Sequence, residues 1–411
     1  MMAMSFDLIF GSILLLSAAL YIIMILGLTA GILKNSGKSK GEDRLAGYFA
    51  TGQAGAKTTV MARVSVIVPV RNEVGCIASC LDDLALQYYP GDLLEIIVSD
   101  DFSEDYTLEK VRKWGREHPE ISLILLEAGS KLKENRGKKS AIERAVAIAR
   151  GEIIIATDAD TLHGRSWVRT ITGAFGNPEV KMVLGPVGFA GEKGIFAKIQ
   201  TLEFLGIMGV SAGSANLGFS LMCNGANLAY RKQAYTECGG FEGNTLFQSG
   251  DDQFLMMKFR KNFGGRSVVF LNQKDAIVLT APCSAWHDFW EQRLRWVSKS
   301  RGYKDTAVIT AGLLTFGFPF LILIGVIAGI FHPAILFLAS FLWFLKILAE
   351  YPMVWLMARF FDTKHLLNYY FAAQVFQFFY SITVAIAGQF TMYSWKGRSI
   401  KPLQSPDLRR K

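Results

Sequence analysis

Two aspartates one residue apart, Asp158 and Asp160, follow the apolar run Ile153 to Ala156. Such a run is typical of a buried strand in a parallel sheet, and open α/β sheets bind ligands beyond the carboxyl ends of their strands. Because side chains alternate along an extended chain, both carboxylates are expected to point the same way. Two hard oxygen ligands suit Mg²⁺ or Mn²⁺, and such a metal suits a diphosphate. Taken alone, the motif is explained equally well by a helix cap or a turn carboxylate.

Strands and helices alternate around this motif. The apolar patterns predict strands at 64–70, 94–99, 121–126 and 152–157, with helices at 74–86, 106–117 and 138–149. This alternation predicts an α/β domain built on a Rossmann-like, mostly parallel, doubly wound sheet. No G-x-G-x-x-G follows the first strand and no Walker A pattern is present, which disfavours a dinucleotide dehydrogenase and a P-loop NTPase.

Three further helices are predicted after the motif. A helix at 194–210 has an apolar face interrupted by charges, which is typical either of a core helix or of a surface that meets acceptor or membrane. A helix at 250–261 opens with the acidic pair Asp251-Asp252. A third, at 284–303, is amphipathic and rich in tryptophan, as expected for a helix in the membrane interface.

The composition is too apolar for a purely soluble protein: 51% of the 411 residues are hydrophobic, and mean hydropathy is +0.27. Residues 6–33 carry one charge, Asp7, over a length that can span a bilayer. Basic residues follow this segment rather than precede it, which argues against a cleaved signal peptide and places residue 34 onward in the cytoplasm. Three further candidate spans lie at 308–331, 333–361 and 366–390.

The number of predicted spans and the charge of the C-terminal tail give conflicting predictions of the membrane topology. Three C-terminal crossings would place the basic tail outside, whereas basic segments favour the cytoplasm. One candidate span is therefore expected to lie in the interface or to re-enter, and the span containing Lys346 and Glu350 is preferred because buried charges are costly. The alternative is that Lys346 and Glu350 pair across four residues and face a polar path.

The net charge of +9 is accounted for mainly by Lys and Arg near the membrane segments. No nucleic-acid-binding module is recognisable, and the five cysteines show no zinc-binding spacing, so they are expected to be reduced packing thiols. The predicted segments, in chain order, are an anchor at 1–33, a cytoplasmic linker at 34–62, the α/β domain at 63–283, an interfacial helix at 284–305, C-terminal membrane helices at 306–392 and a basic tail at 393–411.

Several motifs occur in a fixed order along the chain. They are Pro69-Val70-Arg71-Asn72-Glu73, Asp100-Asp101-Phe102-Ser103, Asn135-Arg136-Gly137-Lys138, Asp158-Ala159-Asp160, Asn224-Gly225-Ala226-Asn227, Gly250-Asp251-Asp252-Gln253 and Gln292-Arg293-Leu294-Arg295-Trp296. Together they resemble the membrane-integrated family 2 glycosyltransferases with a GT-A fold, over residues 63–304. That group includes cellulose, hyaluronan and poly-N-acetylglucosamine synthases and ceramide glucosyltransferases.

The resemblance implies a role for each matching position. Asp100 and Asp101 would bind the nucleotide base, and Lys138 would lie near the nucleotide. Asp158 would lie by the ribose and diphosphate and Asp160 would ligate Mg²⁺ or Mn²⁺, with Asp158 as a second metal ligand. Asp252 would be the general base on the acceptor hydroxyl, with Asp251 beside it. Gln292, Arg295 and Trp296 would close over the diphosphate and the acceptor.

The chemistry of these residue types is consistent with those roles. A carboxylate can take the proton of a sugar hydroxyl, and two adjacent acids can tune one another's pKa. A metal and an arginine can stabilise a departing diphosphate. Since one base and no second nucleophilic carboxylate are evident, direct displacement with inversion is expected.

Each motif also has a structural explanation of its own. Asp251 and Asp252 could favour a helix start, Asp100 and Asp101 could cap the helix after their strand, and Lys138 could be a solvated lysine. Arg295 and Trp296 could be interfacial anchors. His163 and His287 are better explained by surface or packing positions than by metal binding. Phe102 departs from the family pattern, which has glycine there, and this leaves the nucleotide preference open.

The expected function is transfer of a sugar from a nucleotide diphosphate sugar, with UDP favoured, to a growing polysaccharide or a membrane lipid. The enzyme would be a multi-pass protein of the inner (cytoplasmic) membrane, with its catalytic domain in the cytoplasm, no nucleic-acid partner and an undetermined partner subunit. The alternative is a catalytically silent membrane subunit that binds nucleotide sugar or polymer.

Overall fold

A computed structural model describes residues 2–36, 61–129, 137–242, 250–388, 390–391, 393–396 and 398–400. Most of the predicted linker, most of the basic tail, Asn135 and Arg136 lie outside the described residues. The chain divides into two compact units. The sheet unit comprises Gly31–Ala190 and Ser214–Ala281, and the helical unit comprises Met1–Ala30, Gly191–Gly213 and Pro282–Lys411.

The elements of the sheet unit follow the predicted alternation. In chain order they are β1 (Val64–Val70), α2 (Ile77–Ala85), β2 (Leu94–Asp100), α3 (Thr107–Glu117), β3 (Leu123–Leu126), α4 (Lys138–Ile148), β4 (Ile153–Ala156), β5 (Leu162–His163), α5 (Trp167–Ala174), β6 (Met182–Leu184), β7 (Val187–Phe189), β8 (Leu228–Arg231), α7 (Lys232–Glu237), α8 (Asp251–Phe263), β9 (Val268–Phe270) and β10 (Val278–Thr280). Short 3₁₀ turns lie at Gly91–Leu93, Gly265–Ser267 and Lys274–Ala276.

The main sheet has seven strands in the order β3-β2-β1-β4-β8-β6-β9. Strands β3, β2, β1 and β4 are parallel to their neighbours, β8 is antiparallel to both β4 and β6, and β9 is parallel to β6. Strands β5, β10 and β7 form a second, small sheet. The predicted mostly parallel sheet is therefore confirmed, and its interior strand β1 is buried along its whole length.

The sheet positions the site because its central strands are apolar on both faces. Alternate β1 residues Val64, Val66, Val68 and Val70 belong to a core cluster with α2 residues Ile77, Leu81 and Leu84. Burial of both faces leaves the polar residues of these segments at the strand ends, where the chain turns into loops. The register pairs Val70 of β1 with Asp100 of β2, so these two strands end at the same level.

In the described part of the chain, the helical unit contains five long apolar helices and a shorter, amphipathic helix, Trp286–Ser298. They are α1 (Met2–Ser36, of which the part up to Ala30 belongs here), α6 (Gly194–Leu217, up to Gly213), α9 (Trp286–Ser298), α10 (Thr306–Ala328), α11 (Pro333–Phe360) and α12 (Tyr370–Ala387). The 3₁₀ segments Lys299–Gly302 and Lys364–Tyr369 follow α9 and precede α12, and a short hairpin comprises β11 (Tyr393–Trp395) and β12 (Arg398–Ile400).

Five helices in the described part of the chain are long and apolar enough to cross a membrane: Phe6–Lys34, Gly194–Leu217, Thr306–Ala328, Pro333–Phe360 and Lys364–Ala387. Four of them coincide with the predicted spans. The fifth, α6, lies in the chain between β7 of the small sheet and β8 of the main sheet.

The two charges in α11 pair with each other, as one of the two alternatives predicted. Lys346 Nζ lies 2.8 Å from Glu350 Oε1, and both side chains are buried. Gln374 of α12 donates to Glu350 Oε2 at 2.7 Å, and the Tyr21 hydroxyl of α1 donates to Glu350 Oε1. α11 is one continuous helix of 28 residues. These contacts satisfy both charges inside the helical unit and join α1, α11 and α12.

Candidate functional site

The loops after β1, β2 and β4 meet at one edge of the main sheet. The Asp101 N–H donates to the Val70 carbonyl at 2.8 Å, which joins the ends of β1 and β2. The Thr157 N–H donates to the Ile67 carbonyl at 3.1 Å, which joins the end of β4 to β1. The edge predicted to carry the site therefore brings together the residues that follow these three strands.

Lys138, the first residue of α4, reaches Asp158 at this edge. Its Nζ lies 2.5 Å from Asp158 Oδ1, and the two side chains are 18% and 35% exposed. Gly137, which precedes α4, has a φ of +120°, a value suited to glycine, and its N–H donates to Asp101 Oδ1 at 2.8 Å. The turn before α4 thus places Lys138 between the ends of β2 and β4.

Asp251 and Asp252 form the first turn of α8, and they converge on the same lysine. Asp252 Oδ2 accepts the Gly225 N–H at 3.0 Å, and Asp252 Oδ1 accepts the Gln253 N–H at 2.7 Å. A Cβ atom added to Gly225 would lie 3.2 Å from Lys138 Nζ. It would also lie 3.5 Å from Asp252 Cβ and 3.6 Å from Asp251 Oδ2. Gly225 therefore marks the point where Lys138 and both aspartates meet.

Burial and the close approach of these charged groups shift the pKa values of Lys138 and Asp251. Burial alone would lower the pKa of Lys138, but Asp158, Asp251 and Asp252 outweigh it and raise that pKa above its ordinary value. Burial raises the pKa of Asp251; Lys138 opposes the rise and Asp252 adds to it. The site is thus a lysine held charged among three carboxylates, one of which is buried and has an increased proton affinity.

The predicted arrangement of Asp158 and Asp160 is wrong in one respect. β4 ends at Ala156, and residues 159–160 form a turn rather than an extension of the strand. The turn is closed by the Thr161 hydroxyl, which donates to the Asp158 carbonyl at 2.6 Å. Asp158 is half-buried on Lys138, whereas Asp160 is exposed. The alternation of side chains along a strand therefore does not predict how the carboxylates of Asp158 and Asp160 are oriented.

The donor set at this turn fits a hard divalent cation. No group of three His, Cys, Asp or Glu side chains converges as a metal site within the described ranges. The oxygens available are those of exposed Asp160 and the part of Asp158 not engaged by Lys138. Mg²⁺ is commonly held by one or two carboxylates, with substrate phosphates and water completing the shell. The residues present suit that arrangement.

Asp100 and Asp101 are both buried and shape the loop after β2. Asp100 carboxylate oxygens accept the Phe102 N–H at 3.0 Å and the Ser103 N–H at 3.1 Å. The helix that follows is not capped by either residue, because Asp105 accepts the Thr107 N–H at 3.0 Å. The helix-cap explanation for Asp100 and Asp101 is therefore wrong for this loop.

The same loop contains a strained residue that accounts for the usual glycine at this position. Phe102 has a φ of +60°, a conformation that L side chains rarely adopt. The loop is held by Arg71, whose Nη1 donates to the carbonyls of Asp101 at 2.9 Å and Phe102 at 2.6 Å. Arg71 is buried, and its role had no signal in the sequence beyond its place in the first motif.

Thr157 and His163 form a buried hydrogen-bonded pair next to the Asp158 turn. The Thr157 hydroxyl donates to the Ala226 carbonyl at 2.8 Å, so the 2.8 Å contact between Thr157 Oγ1 and His163 Nε2 uses the imidazole N–H. His163 Nδ1 is buried with no hydrogen-bond partner among the described atoms. Burial lowers the pKa of His163 to about 3, so the ring is neutral. His163 is thus a packing residue, as predicted.

Gln253 is a second residue whose role the sequence did not reveal. It is buried behind the acidic pair, and its Nε2 donates to the Leu221 carbonyl at 2.5 Å. Its Oε1 accepts the Cys223 N–H at 3.3 Å. Gln253 therefore fixes the segment that leads to Gly225, the residue beside Asp252.

Gln292, Arg295 and Trp296 belong to the helical unit rather than to the sheet unit. All three lie on α9 and are half-buried, and the Trp296 ring lies 6.3 Å from the Phe204 ring of α6. Gly191–Gly213, predicted as part of the 63–283 domain, clusters with the helical unit as well. The structure thus brings together seven predicted site residues in one unit: Asp100, Asp101, Lys138, Asp158, Asp160, Asp251 and Asp252.

Two family descriptions match the chain. Residues 65–239 match "Glycosyl transferase family 2", and residues 153–357 match "Glycosyl transferase family group 2". Together the matches cover residues 65–357, which is more than half of the chain and contains the predicted site residues from both units.

Curated relatives agree with the family matches. An N-acetylglucosaminyltransferase of Rhizobium meliloti is 27% identical over 61% of this chain and 58% of its own length. A beta-monoglucosyldiacylglycerol synthase of Trichormus variabilis is 25% identical over 57% of this chain and 48% of its own length. The chain spans about half the length of these curated relatives.

Among solved structures, the mannosyltransferase PcManGT from Pyrobaculum calidifontis, in complex with GDP-Man and Mn²⁺, has a TM-score of 0.51 to this chain. It is 21% identical, and the match covers 89% of this chain and 99% of PcManGT. The likeness confirms the expected GT-A fold. By these two family matches, residues 65–357 of the chain belong to glycosyltransferase family 2.

Proposed function

We propose that this protein is a membrane-bound, inverting glycosyltransferase that moves a sugar from a nucleotide diphosphate sugar to a membrane-associated acceptor. The observation that carries the proposal is the convergence of Lys138 with Asp158, Asp251 and Asp252 beside Gly225. A lysine among carboxylates offers a cation for a diphosphate, and the acids beside it offer a proton acceptor. The family membership and the relatives' names support this class of reaction.

Asp252 is proposed as the general base. A sugar hydroxyl is a poor nucleophile, so a carboxylate within hydrogen-bond reach must take its proton as it attacks. Two backbone N–H groups, of Gly225 and Gln253, fix the Asp252 carboxylate in one orientation. Asp251 lies deeper, bound to the charge of Lys138, and tunes its neighbour. A single base leads to direct displacement and inversion at the anomeric carbon.

The nucleotide and its diphosphate are proposed to lie along the strand ends. Asp100 and Asp101 shape the pocket for the base, and Lys138 and Asp158 lie at the ribose and diphosphate. Asp160, with Asp158, would hold Mg²⁺ or Mn²⁺. When bound, such an ion neutralises charge that develops on the departing diphosphate. PcManGT, which shares the fold, was crystallised with GDP-Man and Mn²⁺.

We also propose roles for the Q-x-x-R-W segment, Gln292 to Trp296. The planar guanidinium of Arg295 suits two phosphate oxygens, and the flat ring of Trp296 suits a sugar ring or base. Gln292 supplies an amide at the same helix surface. The family resemblance assigns these three residues to the diphosphate and the acceptor end.

UDP is the proposed nucleotide, and the acceptor is either a growing polysaccharide or a membrane lipid. A relative named for diacylglycerol glucosylation supports a lipid acceptor, and the polysaccharide synthases that the motifs resemble support a polymer. The proposed location is the inner membrane with the sheet unit in the cytoplasm, because Lys34 and the basic residues after it follow the first apolar helix.

The test is incubation of the purified full chain, in native-like lipid, with radiolabelled UDP- and GDP-sugars and either Mg²⁺ or Mn²⁺. The label is then separated into solvent-extractable lipid and high-mass polymer. Transfer from one UDP-sugar, lost on chelation of the metal, is the expected result. Binding of nucleotide sugar with no transfer in any reaction would instead indicate a catalytically silent subunit and would refute the proposal.

A further inference from the structure

Arg293, an unassigned position inside the Q-x-x-R-W segment, is more deeply buried than the motif residues around it. On α9 the buried residues are Phe289, Arg293 and Leu294. Gln292 and Trp296, by contrast, are half-buried. An arginine is rarely buried unless its charge is paired, so the partners of Arg293 indicate what this position does.

The principal partner of Arg293 is Glu203, on α6. Arg293 Nε lies 3.2 Å from Glu203 Oε1, and Arg293 Nη2 lies 2.5 Å from Glu203 Oε2. Two parallel hydrogen bonds of this kind fix the plane of the guanidinium as well as its position. The side chains are only 4% and 6% exposed, so the pair is screened from water. The Tyr380 hydroxyl of α12 also donates to Glu203.

The same guanidinium touches two motif residues. Arg293 Nη1 donates to the side-chain carbonyl of Gln292. The guanidinium carbon lies 4.3 Å from the centroid of the Trp296 ring and 4.3 Å from that of Phe289, within the range of cation–π contact. Arg293 thus contacts the amide of Gln292 and the indole of Trp296 while it is itself fixed by Glu203.

A second contact holds the start of α9 to the same helix. Gln200, one turn before Glu203 on α6, donates from Nε2 to the Cys283 carbonyl at 2.9 Å. Its Oε1 accepts the Cys283 N–H at 3.0 Å. α6 therefore holds the α9 segment at two successive points, and the bidentate pair is the point nearest the motif.

We propose that Arg293 and Glu203 are positioning residues that hold Gln292 and Trp296 in their working orientation. This inference rests on the proposed function, since it assigns to the pair an effect on transfer. Arg293 acts through its neighbours and contacts neither donor nor acceptor. A lysine could not replace it, because an ammonium lacks the planar fork that meets Glu203, Gln292 and Trp296 together.

The test compares the full chain in native-like lipid with R293M, R293K and E203Q. We expect kcat to fall about 100-fold in R293M, the order of loss caused by a misplaced group in the site. R293K should resemble R293M more than the unaltered chain. The matched control is K198M, which removes another polar contact of α6, between Lys198 Nζ and the Tyr369 hydroxyl at 3.1 Å. K198M should retain the kcat of the unaltered chain.

A double variant separates positioning from general loss of structure. In a W296A, Q292A background, R293M should lower kcat by less than about threefold, because its effect passes through the residues already removed. An equal loss in both backgrounds, or no loss in R293M alone, would overturn the inference. Activity of the unaltered chain reports separately on the proposed function.

A fluorescence measurement tests the inference without activity. The emission of each protein minus that of its W296F counterpart isolates Trp296, on which the guanidinium stacks. R293M should shift this difference spectrum and K198M should not. An unchanged difference spectrum in R293M would overturn the positioning role even if the protein transferred no sugar.

Discussion

Lys138 Nζ and Asp158 Oδ1 lie 2.5 Å apart, and this ion pair joins the first turn of α4 to the turn after β4. The same ammonium is within electrostatic reach of Asp251 and Asp252 at the start of α8. One lysine thus connects three segments that are separated by about 20 to 110 residues in the sequence. The proposed diphosphate site depends on this arrangement.

Replacement of Lys138 by methionine should weaken nucleoside diphosphate binding. A hydrogen bond to a charged group contributes about 1.5–3 kcal/mol, which predicts a rise in Kd of about 10- to 100-fold for UDP measured by calorimetry. The matched control is K232M, which removes a lysine whose Nζ donates to the Ala149 carbonyl at the far end of α4. Equal affinities in K138M and K232M would contradict the assignment of Lys138.

Replacement of Gly225 by alanine should impair turnover more than stability. The new Cβ would lie 3.2 Å from Lys138 Nζ, closer than ordinary contact, so Lys138 or Asp252 must shift. We expect kcat to fall about tenfold, with little change in the melting temperature. G75A is the control, because a Cβ at Gly75 would meet nothing within 4 Å. Similar turnover in both variants would show that the site tolerates the displacement.

His163 should make the protein less stable as the pH falls. Its pKa is about 3 in the folded chain, because of burial, and about 6.5 when exposed in the unfolded chain. The unfolded state therefore binds the proton first, so stability decreases as the pH is lowered from about 6.5 towards 3, by up to about 1.4 kcal/mol per pH unit. Melting temperatures between pH 7 and pH 4.5 should fall more steeply in the unaltered protein than in H163Q. Parallel curves would exclude this contribution.

Glu350 should stabilise the helical unit by compensating Lys346. E350L leaves that buried ammonium without its carboxylate partner, which costs about 3–5 kcal/mol for a buried pair. The double variant K346M, E350L removes both charges and should recover much of the loss. Melting temperatures in lipid nanodiscs measure the cycle. If E350L alone melts like the unaltered protein, the pair contributes nothing to stability.

The local pattern of the sequence predicted the parallel half of the fold well. Strand β1, helix α4 and the acidic start of α8 lie within a few residues of their predicted bounds. Their signals are short-range: an apolar run, a helical period and a charge at a helix start. The position of Lys138 near Asp158 was expected only from the family resemblance, because β3, the strand before α4, is separated from β4 by β2 and β1.

Long-range features were not predictable in the same way. The antiparallel insertion of β8 between β4 and β6 pairs β8 with β4 residues more than 70 positions away, and no local pattern specifies that pairing. The turn at Asp158–Asp160 was not predicted because the alternation of an extended strand was continued past Ala156, where both the apolar run and β4 end. The Thr161 hydroxyl closes the turn. Arg293 was passed over because its partner Glu203 lies on a distant helix.

The measurement that tests the central claim most directly is the transfer rate and UDP affinity of D252N, a variant that keeps the shape of Asp252 but cannot accept a proton. The account predicts that UDP binding remains close to that of the unaltered chain while transfer falls by about 10²- to 10⁴-fold, the range attributed to a general base. D275N, the same substitution at an exposed aspartate of the 3₁₀ segment Lys274–Ala276, is the control. Transfer by D252N at the rate of the control would contradict the account.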